Sequence, residues 1–252
     1  MPESPTRIAI INPNATRSMT ETIALAARRA AGPGTTIMAY QNDGGPASIE
    51  GHVDGALAVP GLLQALAAAE DDGAAAFVIA CFDDTGLDAA RSLVDGPVIG
   101  IGEAAAHMAS LVARRFAVIT TLACSVPILS DNLARNGLAA LCCGVRASEL
   151  PVLALEADPA AAGRRISQEI ARAIEDDGAE AIVLGCAGMA DFAAELAARH
   201  GLPVIEGVAA AIKLAEAAVS LGLKTSRRGG YAPPRTKPGG FSRATSPIRR
   251  LS

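Results

Sequence analysis

Two cysteines, Cys81 and Cys186, close two copies of one stretch. Residues 70–81 read EDDGAAAFVIAC and residues 175–186 read EDDGAEAIVLGC, 105 positions apart throughout. A free thiol titrates near pKa ~8.5, so a modest depression makes it a base at neutral pH, and its protonated form is an acid. Two such groups facing each other can invert a stereocentre without a cofactor. One removes a proton from carbon while the other delivers a proton to the opposite face. A lone free cysteine is more often a small buried hydrophobe. A pair matched by a repeat, each at the end of an apolar run, favours chemistry. The reaction needs a carbon acid with a stabilised anion, and donors that hold the anion. Asn12 and Asn14 offer amide donors after the first apolar run, and Thr120 and Thr121 occupy the matching place in the second half. The backbone N–H groups at Phe82-Asp83 and Ala187-Gly188 are further donors, and Gly188 lets backbone approach a ligand closely. Asn12-Pro13-Asn14 also reads as an ordinary turn.

The elements that position these residues follow from periodicity. Residues 7–12, RIAIIN, form a short apolar run that stops at Asn-Pro-Asn, and residues 115–120, RFAVIT, repeat it at an offset of 108. Both read as buried strands. Further strands are expected over 35–40, 75–80, 97–100, 138–145, 181–185 and 203–206. Helices are expected over 18–31, 53–72, 86–93, 103–113, 125–136, 158–177, 190–200 and 208–221. Strands alternating with helices indicate parallel α/β sheets, and the two matched offsets indicate two α/β halves of similar build. Ligands bind at the carboxyl ends of such strands, where both cysteines fall. Each cysteine also precedes a helix, whose positive end favours a thiolate. The Glu-Asp-Asp-Gly runs read as helix-end turns with Gly in the left-handed conformation.

Other signals narrow the function. The five cysteines lack CxxC spacing, which argues against a disulfide framework, and a reducing cytoplasm is the expected setting. No stretch reads as a leader or a membrane span. His52, His107 and His200 are scattered without ligand spacing, so no metal site is expected. Gly100-Ile101-Gly102-Glu103-Ala104-Ala105 satisfies GxGxxA, but it does not open the first βα unit and no acidic residue ends the next strand, so a dinucleotide is not expected. Residues 224–252 hold eight Lys and Arg and no Asp or Glu, which leaves the body with fourteen basic residues against all 26 acidic ones. This Gly/Pro/Arg-rich tail cannot build a core and reads as mobile or as a strap over a neighbouring surface. With an acidic body and no motif, nucleic-acid binding is not expected.

Asn12-Pro13-Asn14, Gly45-Pro46-Ala47-Ser48-Ile49-Glu50, Cys81-Phe82 with Gly86-Leu87, and Gly185-Cys186-Ala187-Gly188-Met189 together resemble the hydantoin racemase branch of the aspartate/glutamate racemase superfamily. The resemblance runs over about 7–240 and includes Arg-Arg-Gly-Gly-Tyr at 227–231. It implies two Rossmann-like parallel-sheet α/β domains related by a pseudo-dyad, with the site in the cleft between them. The corresponding division is 1–105 plus 208–223, then 106–207, then the tail. It implies cofactor-independent, two-base racemisation of 5-substituted hydantoins or of allantoin, with Cys81 and Cys186 as the catalytic pair. Its small-residue loop falls on Gly45, Pro46 and Ile49 and would frame the C5 substituent. Asn12, Asn14, Thr121, Phe82, Ala187 and Gly188 would hold the ring. Asp83 and Thr85 stand where family members commonly carry Gly and Pro, and a carboxylate there would oppose thiolate formation if it points inward.

The chemistry of the substrate agrees. The C5–H of a hydantoin lies beside a ring carbonyl, so its carbanion delocalises as an enolate and no pyridoxal sink is required. The competing readings are allantoin or amino-acid racemisation, a single-thiol decarboxylase, and a non-catalytic small-molecule binding protein. The expected partners are a small-molecule substrate and further copies of the chain in a homo-oligomer, with no nucleic acid and no membrane.

Overall fold

The computed structural model describes residues 5–243 and 249–251. The first half runs β1 (Thr6–Asn12), α1 (Arg17–Ala30), β2 (Thr35–Gln41), α2 (His52–Asp71), β3 (Ala76–Ile79), α3 (Leu87–Leu93), β4 (Val98–Gly100) and α4 (Ile101–Val112). The second runs β5 (Phe116–Thr120), α5 (Val126–Arg135), β6 (Cys142–Ala147), α6 (Ala154–Ala157), α7 (Pro159–Glu175), β7 (Ala181–Gly185), α8 (Ala193–His200) and β8 (Val204–Glu206). Then come α9 (Gly207–Ser220) and, in the tail, β9 (Arg249–Leu251).

The halves repeat one topology. The first sheet is ordered β4-β3-β1-β2-β9 and the second β6-β5-β7-β8. Read from the other edge, the second sheet has the order of β4-β3-β1-β2. All pairings are parallel except β9 on the edge of β2. In each half the strand that delivers the cysteine therefore lies beside the strand that opens the half. Ile11 pairs with Ile79, and Thr120 with Gly185.

Strand side chains alternate between faces, and the core follows that alternation. Ile8 and Ile10 point into one cluster that also holds Phe116, Val118 and Val183, so this cluster is shared by both sheets. It contains Ile101 and Ala105 of α4, and Val208 and Ile212 of α9. Ala9, Ile11, Phe77 and Ile79 face the other way, onto Leu62 and Leu66 of α2. Ala117, Ile119, Ile182 and Leu184 face Ile166 and Ile170 of α7. Strands covered on both faces explain the uninterrupted apolar runs in the sequence.

Several elements differ from the sequence expectation. The strand expected over 138–145 begins only at Cys142. The chain leaves α5 through Gly137 in the left-handed region, and the carbonyl of Leu138 accepts from the N–H groups of Leu141 and Cys142, a turn that uses those residues. The helix expected over 190–200 begins as a 3-10 stretch, Ala187–Phe192, before α8. Helix α2, with 20 residues, is by length and composition apolar enough to cross a membrane, which the sequence reading did not anticipate. Its apolar residues are alanine, leucine and valine, and its Leu62, Ala65, Leu66 and Ala69 pack against the first sheet.

The tail follows its own chain. Thr225 donates from N–H to the Asp95 carbonyl and from its hydroxyl to the Gly96 carbonyl. Arg227 donates to the carbonyl of Val94 at the end of α3, and Arg243 pairs with Glu70 and Asp71, so one of the repeated acidic turns receives a tail cation.

Helices α4 and α9 meet where each begins. A Cβ added to Gly207 would stand 2.6 Å from the carbonyl oxygen of Ile101. That backbone cannot yield without moving α4, so we expect Gly207→Ala to destabilise the fold by about 1–3 kcal/mol, more than the roughly 1 kcal/mol that alanine gains in a helix. Urea denaturation checks this; an unchanged or raised midpoint would mean that the two helices have room to part.

Candidate active site

The cysteines are delivered by equivalent strand ends. The β1–β3 ladder extends one residue past β3, where the Ala80 N–H donates to the Ile11 carbonyl, and Cys81 follows. Cys186 follows β7 directly. Gly185 is needed there, because a Cβ would stand 2.9 Å from the Ile119 carbonyl oxygen. After each cysteine the chain turns back. Asp84 N–H donates to the Cys81 carbonyl, and Met189 N–H to that of Cys186. Each sulfur also accepts from the backbone N–H two residues on, Asp83 for Cys81 and Gly188 for Cys186. The hydroxyl of Thr85 lies 3.4 Å from the Cys81 sulfur.

Both thiols line one cavity of about 400 Å³, counted with its open mouth. Its wall is built from equivalent places in the two halves. Asn14 follows β1 and Thr121 follows β5; Ile49 lies in the loop after β2 and Val152 in the loop after β6; Phe82 follows Cys81 and Ala187 follows Cys186. Met19, Ser125, Asp83, Ala80 and Gly185 complete it. The two β2 and β6 loops are tied together, since Val152 N–H donates to Glu50 Oε1 at 2.8 Å.

The remaining residues expected at the site stand behind this wall. Asn12 does not line the cavity. Its amide donates to Asn14 Oδ1 and Thr20 Oγ1, and its Oδ1 accepts from Asn14 N–H, so it fixes Asn14. Gly45 sits where a Cβ would meet the Pro13 carbonyl oxygen at 2.8 Å, and the Pro46 carbonyl accepts from Ala15 N–H. These two residues hold the Asn-Pro-Asn turn and the small-residue loop together. Gly188 contributes its N–H to Cys186. Val152, Met19 and Ser125 were not named as site residues from sequence. Val152 was detectable, as the second-half counterpart of Ile49.

Electrostatics depart from expectation at the thiols. Burial pushes both up rather than down. For Cys81 the Asp83 charge adds to burial, and the Thr85 hydroxyl and Asp83 N–H only partly offset them. Cys186 is pushed up to about 12 by burial, against the Gly188 N–H, with Asp83, Glu50 and Glu156 adding to the rise. The helix-terminus argument fails for a local reason. Cys81 is followed by an irregular turn as far as Gly86, and Cys186 by a 3-10 stretch, so no α-helix begins at either sulfur. Asp83 itself rises to about 6, because burial outweighs the lowering effects of the Ser125 hydroxyl at 3.4 Å and of nearby His52.

Asp84 explains the Gly-Ile-Gly signal. It is buried with φ of 51°, and its carboxylate accepts from the N–H groups of Gly102 (2.9 Å) and Glu103 (2.8 Å) at the start of α4. A Cβ at Gly100 would stand 2.1 Å from Asp84 Oδ1. The two glycines accommodate a carboxylate from the Cys81 turn, which caps α4 and lets it start at Ile101 instead of 103. Among the described residues no group of three or more His, Cys, Asp or Glu gathers as metal ligands.

These shifts have a chemical readout. Iodoacetamide at pH 7.5 should label exposed Cys124 first, with Cys81 and Cys186 slower by about tenfold or more. Asp83→Asn removes a negative charge near both thiols and should speed their labelling roughly two- to tenfold while leaving Cys124 unchanged. Site-resolved mass spectrometry measures all three; equal rates at the three cysteines would contradict the upward shifts.

Comparison with known proteins gives the family of the chain. Residues 8–215 match the family model described as Asp/Glu/Hydantoin racemase. The chain is 50% identical to a hydantoin racemase of Rhizobium meliloti over 91% of its length and 95% of that protein. It is 45% identical to one from Pseudomonas sp. (strain NS671), covering 92% and 93%. The solved structure of allantoin racemase from Klebsiella pneumoniae superposes with a TM-score of 0.90 at 47% identity, over 92% of this chain and 95% of that one. The chain therefore belongs to the Asp/Glu/hydantoin racemase family and is an isomerase of that kind.

Proposed function

We propose that the protein is a cofactor-independent racemase that inverts C5 of 5-substituted hydantoins, allantoin included, with Cys81 and Cys186 as its two acid/base groups. The observation that carries this reading is the pair of thiols at equivalent strand ends lining one cavity. The relatives named hydantoin racemase and the allantoin racemase structure support the substrate class.

The proton balance is simple. A thiolate on one cysteine takes the C5 proton and becomes a thiol, and the electron pair delocalises onto the adjacent ring carbonyl. The other thiol gives its proton to the opposite face of C5 and becomes a thiolate. Burial favours the thiol form, so the acid stands ready and the base is the harder species to make. The N–H groups of Asp83 and Gly188 are the donors that hold each thiolate. Asn14, positioned by Asn12, and Thr121 with the backbone at 82 and 187 hold the ring. Phe82 and Ile49 frame the C5 substituent, and Gly45 and Pro46 shape the loop that carries Ile49. All five cysteines are free, which suits the cytoplasm, and a homo-oligomer is the proposed assembly.

Polarimetry on an enantiopure 5-substituted hydantoin, and separately on enantiopure allantoin, tests the reading with nothing added but buffer. We expect rotation to decay to zero with the wild type. Cys81→Ser and Cys186→Ser should each slow inversion by about 10²–10⁴-fold, and one of them should still exchange the C5 proton in D₂O. Decay no faster than the enzyme-free control for every substrate would refute racemisation. Near-normal inversion by either serine variant would refute the two-thiol mechanism.

A further inference from the structure

Asp83 is where the matched halves part company. Two residues past Cys186 the chain has Gly188, which adds no side chain; two residues past Cys81 it has a carboxylate that lines the cavity. Near it are the thiols of Cys81 and Cys186, both of which feel its charge, together with the Ser125 hydroxyl and His52. No Lys or Arg side chain lines the cavity among the described residues. Glu50 and Glu156 bring further negative charge to the Cys186 side. A carboxylate-bearing substrate would meet the Asp83 charge there, with no lysine or arginine in the wall to offset it.

Resting on the racemase reading, we infer that Asp83 is a specificity-determining residue: it selects hydantoins whose C5 substituent ends in a cation or an N–H donor, and disfavours those ending in a carboxylate. The apolar wall at Ile49, Phe82 and Val152 suits the methylene stem of such a substituent, leaving its head for the carboxylate. Burial lifts Asp83 to about 6, so it is charged at pH 8. The selection reaches the chemistry as well as binding. A substrate cation beside Asp83 offsets the negative charge that holds both thiols protonated, and so eases thiolate formation. The preference therefore belongs in kcat as well as in KM.

The test is a rate series at pH 8 on hydantoins with aminobutyl, pentyl and carboxypropyl substituents at C5, run with the full chain and with Asp83→Asn. In the wild type kcat/KM should fall by about tenfold at each step in that order, with kcat contributing to the first step. In the variant the aminobutyl-to-pentyl ratio should shrink to within about twofold. A pentyl substrate turned over as well as the aminobutyl one by the wild type would overturn the inference, and so would a ratio unchanged in the variant. The wild-type series decides by itself if Asp83→Asn does not fold. Inversion of none of the three would instead refute the racemase reading, and this inference with it.

Discussion

Burial of two thiols at the ends of equivalent strands, one in each sheet, is the constraint on which this structure turns. A sulfur taken out of water favours its neutral form, and each cysteine here has only short-range compensation. One backbone N–H from two residues on serves each sulfur, and Cys81 has the Thr85 hydroxyl besides. Those N–H groups depend on the turn that follows each strand, and the turns depend on close packing. Gly185 lets β7 press against β5. Asp84 reaches from the Cys81 turn to the start of α4 and so fixes that turn to a helix in the shared core. Gly185 and Asp84 thus bear on the placement of the two sulfur atoms.

Much of this was readable in the sequence because the chain carries its architecture twice. The apolar runs at 7–12 and 115–120, and those before Cys81 and Cys186, mark the parallel strands and the cysteines at their ends. The same repeat extends to the loops after the second strand of each half. Ile49 after β2 implies a partner after β6, and Val152 is that partner. What sequence could not give were effects of packing. GxGxxA looked like a weak nucleotide signal, and only the fold shows a carboxylate seated against the two glycines. The direction of the thiol shifts rests on backbone that nearness to a helix in sequence does not reveal, since irregular or 3-10 backbone intervenes at both cysteines.

The basic tail shows how charge asymmetry along a chain can be settled within it. Its Arg243 meets Glu70 and Asp71, and its last described residues pair as β9 with β2. Exposed ion pairs of this kind add little stability. The strand pairing matters more, since it covers backbone groups on a sheet edge that would otherwise be open to another chain.

The mismatch between Asp83 and Gly188 has a thermodynamic boundary. For interconversion of mirror-image substrates the equilibrium constant is unity, so kcat/KM must be equal in the two directions whatever the enzyme looks like. A carboxylate on one half only therefore cannot make the racemase prefer one enantiomer at low substrate concentration. It can divide that shared quotient differently, giving one hand a higher turnover with weaker apparent affinity and the other the reverse. Near-equivalence of the halves keeps the two divisions close, and the single charged departure from it is the place where saturation behaviour of the two hands would diverge.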